Sequence, residues 1–387
     1  MRIAFVNSSI DEYGGVERGI LELGGRLRRK GHEVLYYSWY YDDAHSDERY
    51  KDHVVRQTWL GPISRLVTRT FHRHIGNVSP NLMGVPFSVL TNVPLLTKAI
   101  CESRPDFIYL PVGHSLAGLV AKVHRTQLVC YFAYFPAILT TESVLSKLMR
   151  PFERYTVTNS ICFANSKYLA SYIMKRLGVD NIKALHPGGN TSRFSTIQKE
   201  DDGKTLLHFA RFSPEKWRGH SFLLRLLCLL SGSDVRLILA GGLRRGLEPY
   251  LQRLASTIRK FDLKDRVELV TNVPEDQVPR LYSRATLYVD PNAYDYSMSI
   301  VEALAAGVPA LVRSEGGQAE PVVHGETGFY VSGNLEDWAC SIRMLLGSPD
   351  LISRMSSKAR LRAREFSWDR AADKLESEML RVKRTNR

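Results

Sequence analysis

Short apolar runs and amphipathic stretches alternate along nearly the whole chain. Residues 2–7 (RIAFVN) have the pattern of a buried strand. After a turn-rich loop, Gly14-Gly15 opens a helical pattern that runs to about Lys30. Ile20, Leu21, Leu23 and Leu27 lie on one face of it, and Gly31 closes it. Residues 32–37 are the next strand, so the chain starts as a strand–helix–strand unit with glycines at its first turn, where backbone can approach a ligand closely. Strands are expected at 107–111 and 128–132, with a helix around 116–123 between them. From residue 206 the alternation restarts: strand 206–210, helix 219–230, strand 235–240, helix about 248–260, strand 267–270, helix 276–283 and strand 286–289. A last helix begins at Phe366-Ser367-Trp368-Asp369 and runs to about Lys383. Successive strand–helix units imply parallel sheets covered on both faces. The predicted class is α/β, with two Rossmann-like doubly wound domains facing a cleft, and ligands bind such folds at the strand ends.

One stretch concentrates candidate chemistry: residues 290–309, DPNAYDYSMSIVEALAAGVP. It ends a strand, turns through Pro291 and Asn292, and starts a helix near Ser297, Met298 and Ser299 that stops at Gly307 before Pro309. The first helical turn carries no acidic residue, so its backbone N–H groups and the positive end of the helix dipole suit an anion, most often a phosphate. One turn in, Glu302 is placed to reach a hydroxylated group such as a ribose. By itself the stretch reads as an ordinary strand–turn–helix unit with a serine cap. Arg211, just past the strand at 206–210, and Lys216 supply two cations suited to a diphosphate, a planar fork and a point charge. Arg218 competes for the lysine role.

Length and charge narrow the picture. A chain of 387 residues exceeds the size at which one core keeps growing, which implies two domains. Its apolar share of 44% and charged share of 24% are those of a soluble globular protein. No apolar run approaches the ~20 residues that span a bilayer. Met1 leads straight into a strand, so no signal peptide is expected. The five cysteines lack Cys-x-x-Cys spacing and read as buried thiols in a reducing cytosol. The net charge is +13, with 23 Lys/Arg against 15 Asp/Glu up to residue 190 and 30 against 25 beyond it. No nucleic-acid motif accompanies the excess, so nucleic acid is not an expected partner. An anionic membrane surface or a lipid-phosphate acceptor fits better, beside the plain alternative of a solvated basic surface. Residues 65–75 (RLVTRTFHRHI) fit either a surface helix packed on the sheet or a membrane-surface or acceptor-binding element.

The stretch ending Glu302-Ala-Leu-Ala-Ala-Gly-Val-Pro resembles the donor-site signature of retaining GT-B glycosyltransferases, family 4 (group 1). The resemblance extends to the glycine loop with Val-Glu-Arg and the helix ending Arg-Lys-Gly-His-Glu-Val, to the Asn165-Ser166 segment, and to Pro187-Gly-Gly-Asn190 through Phe194. It includes Ala-Arg211-Phe-Ser-Pro-Glu-Lys216, Gly316-Gly317-Gln318-Ala319-Glu320 and Gly325-Glu-Thr-Gly328-Phe329, and thus covers nearly the whole chain. It implies an acceptor-binding domain over residues 1–190 and a donor-binding domain over 191–365. The polar stretch 197–204 reads as the linker, and the closing helix, 366–387, returns to the first domain. It implies that Gly15, Arg211, Lys216, Ser297, Met298, Ser299 and Glu302 bind a nucleotide-sugar as substrate, with no cofactor and no metal.

Two positions depart from the family pattern. The usual first glutamate, eight residues before Glu302, is Tyr294, with Asp295 adjacent. The usual histidine after the strand at 128–132 is Tyr134, or Ala133 if one residue is inserted; His114 follows a different strand. The catalytic residue is therefore unassigned. The resemblance implies a retaining hexosyltransferase that moves a sugar from GDP-mannose or a UDP-sugar to a lipid-linked or glycan acceptor, in polysaccharide or glycoconjugate synthesis. The expected location is cytoplasmic, peripheral on the membrane face. The rival readings are a catalytically silent family member that binds a nucleotide-sugar or a partner protein and, third, a sugar-nucleotide epimerase of the same fold.

Overall fold

The computed structural model describes residues 1–9, 15–40, 55–57, 102–111, 126–133, 144–200, 202–214, 219–243, 246–292 and 296–385. The chain forms two compact units, Met1–His186 with Ala371–Arg387, and Pro187–Arg370.

The first unit contains β1 (Arg2–Ser9), α1 (Gly15–Arg29), β2 (Glu33–Tyr40), β3 (Val55–Gln57), β4 (Phe107–Leu110), β5 (Gln127–Phe132), α2 (Val144–Thr158), β6 (Ile161–Ala164), α3 (Lys167–Leu177) and β7 (Ile182–Ala184). Among the described residues its strands form one sheet in the order β3-β2-β1-β4-β5-β6-β7, with parallel pairing throughout. Ile3, Ala4, Phe5 and Val6 are all buried in succession, as a strand covered on both faces requires. On one face Phe5 packs against Tyr36 and Tyr109, and Tyr109 against Tyr131, with ring centroids 4.7–6.0 Å apart. The helix α1 crosses this face at Gly24, where a Cβ would collide with the Tyr36 hydroxyl. The other face carries Ala4, Val6, Ile108, Leu110, Leu128 and Cys130 against Val157 of α2 and Leu169, Ile173 and Leu177 of α3. Ser166 caps α3 by accepting from Leu169 N at 3.1 Å, and Gly178 ends it at φ 63°.

The second unit contains α4 (Thr191–Ser195), β8 (Thr205–Phe209), α5 (His220–Leu229), β9 (Arg236–Gly241), α6 (Glu248–Lys260), β10 (Val267–Thr271), α7 (Val278–Ser283), β11 (Leu287–Asp290), α8 (Met298–Ala305), β12 (Ala310–Arg313), β13 (Gly328–Val331), α9 (Leu335–Leu346) and α10 (Pro349–Ala363). Its described strands run β10-β9-β8-β11-β12-β13, again parallel. One face of this sheet is filled by the leucines of α5 with Trp338, Ile342 and Leu345 of α9. The other takes Ile300, Ala303 and Leu304 of α8 with Ala359 and Ala363 of α10. The α/β class with two Rossmann-like domains is as expected.

The last helix, α11 (Trp368–Thr385), begins in the second unit, and from Ala371 onward it belongs to the first. Ion pairs fix it there. Lys30 lies 2.7 Å from Asp373 and 2.8 Å from Glu376, His32 2.6 Å from Glu376, Lys183 2.5 Å from Glu378, and Lys383 2.8 Å from Asp106.

Several expectations need adjustment. The unit boundary falls at His186/Pro187, not at residue 190. Gly189 N donates to Phe366 O at 2.9 Å, and a Cβ at Gly188 would strike the Trp368 backbone, which ties this segment to the second unit. The polar stretch 197–204 is not an interdomain linker. It runs along α7 inside the second unit, where Glu200 N donates to Ser283 O at 2.9 Å and Lys199 Nζ to Tyr282 O at 3.4 Å. The cysteines are not uniformly buried: Cys130 and Cys162 are, but Cys228 is half-buried and Cys340 exposed. Cys101, the expected helix at 116–123 and the stretch 65–75 lie outside the described residues.

Candidate functional site

In the second unit the chain leaves β8 toward β9 on one side and β11 toward β12 on the other. The C-terminal ends of the neighbouring strands β8 and β11 are thus the topological switch point of the sheet, where doubly wound folds leave a crevice for ligands. Five of the candidate residues follow these two strand ends.

Beyond β8 comes Arg211, half-buried, with Phe212 N donating to Gly242 O at 2.9 Å. A Cβ at Gly241 would overlap Ala210 O, so the ends of β8 and β9 are pressed together here. The loop reaches Gly219, at φ 78°, where a Cβ would strike the Pro291 ring; only glycine fits. That contact sets the loop after β8 against the loop after β11. Lys216 and Arg218 lie outside the described residues.

Beyond β11 the buried Asp290 accepts from Asn292 N at 3.1 Å, an Asx-type turn at the strand end. The fully buried Gln318 donates its amide to Asn292 O and Glu315 O, both at 2.6 Å, and so ties this turn to the segment after β12. Tyr294 and Asp295 lie outside the described residues. Tyr296 fixes the chain again through its hydroxyl, which donates to Pro187 O at 3.2 Å.

Helix α8 then begins with Ser297 in extended conformation, with no side-chain cap bond and no acidic residue in the first turn. Its leading amides therefore carry the positive pole of the helix with no carboxylate in its own first turn. Beneath them lies the buried Tyr288. Its hydroxyl donates to Phe209 O at 3.2 Å, accepts from Phe209 N at 3.4 Å, and meets the side chains of Ser297 and Ser299. Burial, with Asp290 nearby, pushes this phenol well above its usual range, so it stays neutral. One turn into the helix Glu302 is buried at 3% exposure, and the Tyr282 hydroxyl donates to its Oε2 at 3.4 Å. The Tyr282 ring lies parallel to Tyr288 and presents an edge contact to Phe194. The helix stops at Gly307 (φ 73°), with the Arg360 guanidinium against it.

Arg211, Ser297, Met298, Ser299 and Glu302 thus share one end of one sheet. Gly15 belongs to the first unit, as the exposed first residue of α1 after β1. There β1 and β4 are adjacent and form that sheet's switch point. Tyr134 and His114 lie outside the described residues, and Ala133 O accepts from Asn165 Nδ2 at 2.7 Å. Sequence reading missed Tyr282, Tyr288 and Gln318. The tyrosines sit in apolar runs that read as core, and Gln318 in a glycine turn, so nothing in the local pattern marks them. Among the described residues no group of three His, Cys, Asp or Glu side chains is arranged to hold a metal ion. None of the described helices is long and apolar enough to cross a membrane.

Comparison with known proteins adds two family matches. Residues 191–362 match the model "Glycosyl transferases group 1", and residues 13–193 match "Glycosyltransferase Family 4". The alpha-1,3/1,6-mannosyltransferase ALG2 of Homo sapiens is 23% identical over 381 residues, which is 91% of this chain and 89% of that protein. Among solved structures, sucrose-phosphate synthase of Thermosynechococcus elongatus superposes with a TM-score of 0.78 at 17% identity, covering 99% of both chains. Anabaena HepE in complex with UDP-glucose superposes with a TM-score of 0.73 at 18% identity, covering 98% of this chain and 99% of that one.

Proposed function

The chain belongs to glycosyltransferase family 4, the group 1 enzymes, and on that premise we propose that it moves a hexose from a nucleotide diphosphate donor to a lipid-linked or glycan acceptor with retention at the anomeric carbon. The observation that carries this reading is the uncapped, acid-free start of α8 at the switch point between β8 and β11, with Glu302 buried one turn inside. In the reading, the α8 amides at Met298 and Ser299 face the donor diphosphate, Arg211 and Lys216 balance its charge, and Glu302 accepts from the ribose hydroxyls. The family resemblance also assigns Gly15, in the first unit, to donor binding.

Loss of the nucleoside diphosphate is the costly event, because negative charge grows on the leaving oxygen. Preorganised donors aimed at that charge are the largest available source of rate. Arg211, Lys216 and the helix amides supply them from the chain itself, which supports a transfer without metal or cofactor. Similarity to a mannosyltransferase over most of the chain favours GDP-mannose, and the UDP-glucose complex of a structural neighbour keeps UDP-sugars in the panel. The basic excess of residues 1–190 supports work on the cytoplasmic face of an anionic membrane. A second reading, a family member that binds donor without transferring it, is favoured by Tyr294 and Tyr134 at the usual glutamate and histidine positions.

Donor hydrolysis and transfer measured over a panel of UDP- and GDP-sugars, with lipid-linked and free glycan acceptors, test the proposal. Turnover of one donor with an α-configured product is expected. Binding without turnover across the panel would favour the second reading.

A further inference from the structure

Helix α2 (Val144–Thr158) carries an outward face with exposed apolar side chains among the described residues. Its buried side holds Glu153, Thr156 and Val157, all at 1% exposure or less. Among the described residues six large hydrophobic side chains are exposed, and only Leu148 (64%) and Phe152 (45%) stand one turn apart on the same helix. Helical spacing puts exposed Pro151 and half-buried Tyr155 on the same stripe, since positions 148, 151, 152 and 155 are neighbours on a 3.6-residue repeat. Exposed Lys147 and Arg154 border one side of it. The helix has a single acidic residue, Glu153, and that side chain faces inward. Among the described residues of the helix, the outward face is therefore apolar with a cationic margin and no carboxylate.

We infer that this face of α2 is where the protein lies on an anionic lipid surface, with Leu148 and Phe152 entering the headgroup–acyl boundary and Lys147 and Arg154 meeting lipid phosphates. Two features select a bilayer over a protein partner. The arrangement is that of an interfacial helix, aromatic and aliphatic side chains on one sector and cations beside them. The same unit also carries the larger share of the chain's positive charge. Lysine and arginine stems extend along apolar surface while their charged ends reach phosphate depth, so both halves of the face engage together. The inference deepens the membrane part of the proposed function and rests on it, giving that contact a definite place on described residues.

The test is vesicle flotation of the full chain, with phosphatidylcholine alone and with phosphatidylglycerol added, across a salt series. Three double or single variants accompany it: Leu148→Ser/Phe152→Ser, Lys147→Gln/Arg154→Gln, and Leu361→Ser as an exposed apolar control in the second unit. The unaltered chain should float with the anionic vesicles, and salt should weaken it. Loss of the two apolar side chains should lower partitioning at least about tenfold. Each cation removed should lower it about fivefold, and Leu361→Ser should change nothing. Unchanged thermal melting shows that the variants still fold. If the unaltered chain floats and both α2 variants float equally well, the assignment to α2 is overturned and the membrane reading survives. Failure of the unaltered chain to float on either vesicle overturns both. Concentration-dependent self-association without vesicles, abolished by Leu148→Ser/Phe152→Ser, would make this face a contact between copies and overturn the lipid assignment.

Discussion

The hydroxyl of Tyr282 donates to Oε2 of Glu302 at 3.4 Å, with both side chains buried in the second unit. One carboxylate oxygen is thereby oriented from α7 while the carboxylate itself projects from α8. Stacked rings behind it, Tyr282 on Tyr288 and edge-on to Phe194, hold the donor in place. If Glu302 binds the ribose, Tyr282 is a positioning residue for it. Tyr282→Phe should raise the donor KM several-fold with kcat little altered, because it removes one hydrogen bond to a charged group worth roughly 1.5–3 kcal/mol at most. Steady-state kinetics check this, and a loss confined to thermal stability would assign Tyr282 to packing alone.

Arg211 and Lys216 should each matter to donor binding. Alanine at either leaves diphosphate charge uncompensated, and a charged hydrogen bond of ~1.5–3 kcal/mol corresponds to roughly a tenfold or greater loss of affinity. Arg218→Ala belongs in the same experiment. Damage there with a silent Lys216→Ala would move the lysine role two residues on.

Chelation should leave turnover unchanged. The proposed charge balance comes from side chains and helix amides, so activity with and without EDTA is expected to agree. A loss restored by a divalent cation would require a metal in the reaction.

The closing helix should be acid-sensitive in a defined sense. The Lys30 ammonium hydrogen-bonded to Glu376, with His32 on its other oxygen, holds that carboxyl below its ordinary value. A depressed carboxylate contributes stability that is present above the unfolded-state value of about 4.3 and is lost as pH falls through the folded-state value. Glu376→Gln should therefore lower the melting temperature at neutral pH, and the gap from the unaltered chain should close below about pH 4. A gap that persists in acid would mean that the ion pairs to α11 add nothing beyond packing.

Much of the fold was legible because both sheets are parallel and buried on both sides, so strands such as residues 206–210 and 286–289 appear as short unbroken apolar runs. The start of α8 was equally legible, since an acid-free first turn and a Gly307 stop are local properties of the sequence. Other features depend on contacts distant in sequence. Pro187–Asn190 looks like the end of the first domain until Gly188 and Gly189 are seen against Phe366–Trp368. Helix α2 escaped because a proline, Pro151, lies inside it and Leu148, Pro151 and Phe152 face outward, so its apolar residues do not gather on the buried side. Tyr282, Tyr288 and Gln318 gain their roles from partners on other elements, and Tyr288 shares its pattern with any buried strand tyrosine.

The proposed function requires that the end of β8 and the start of α8 form a nucleotide-sugar site closed by Glu302. Calorimetric titration of the full chain with GDP-mannose and UDP-sugars, beside Glu302→Gln, addresses it most directly. Saturable binding of at least one nucleotide-sugar is expected, with a marked loss of affinity in Glu302→Gln, which keeps the shape of the side chain but removes the charge that strengthens its ribose hydrogen bonds. Absence of binding by the unaltered chain at millimolar nucleotide-sugar, or equal affinity in Glu302→Gln, would contradict it.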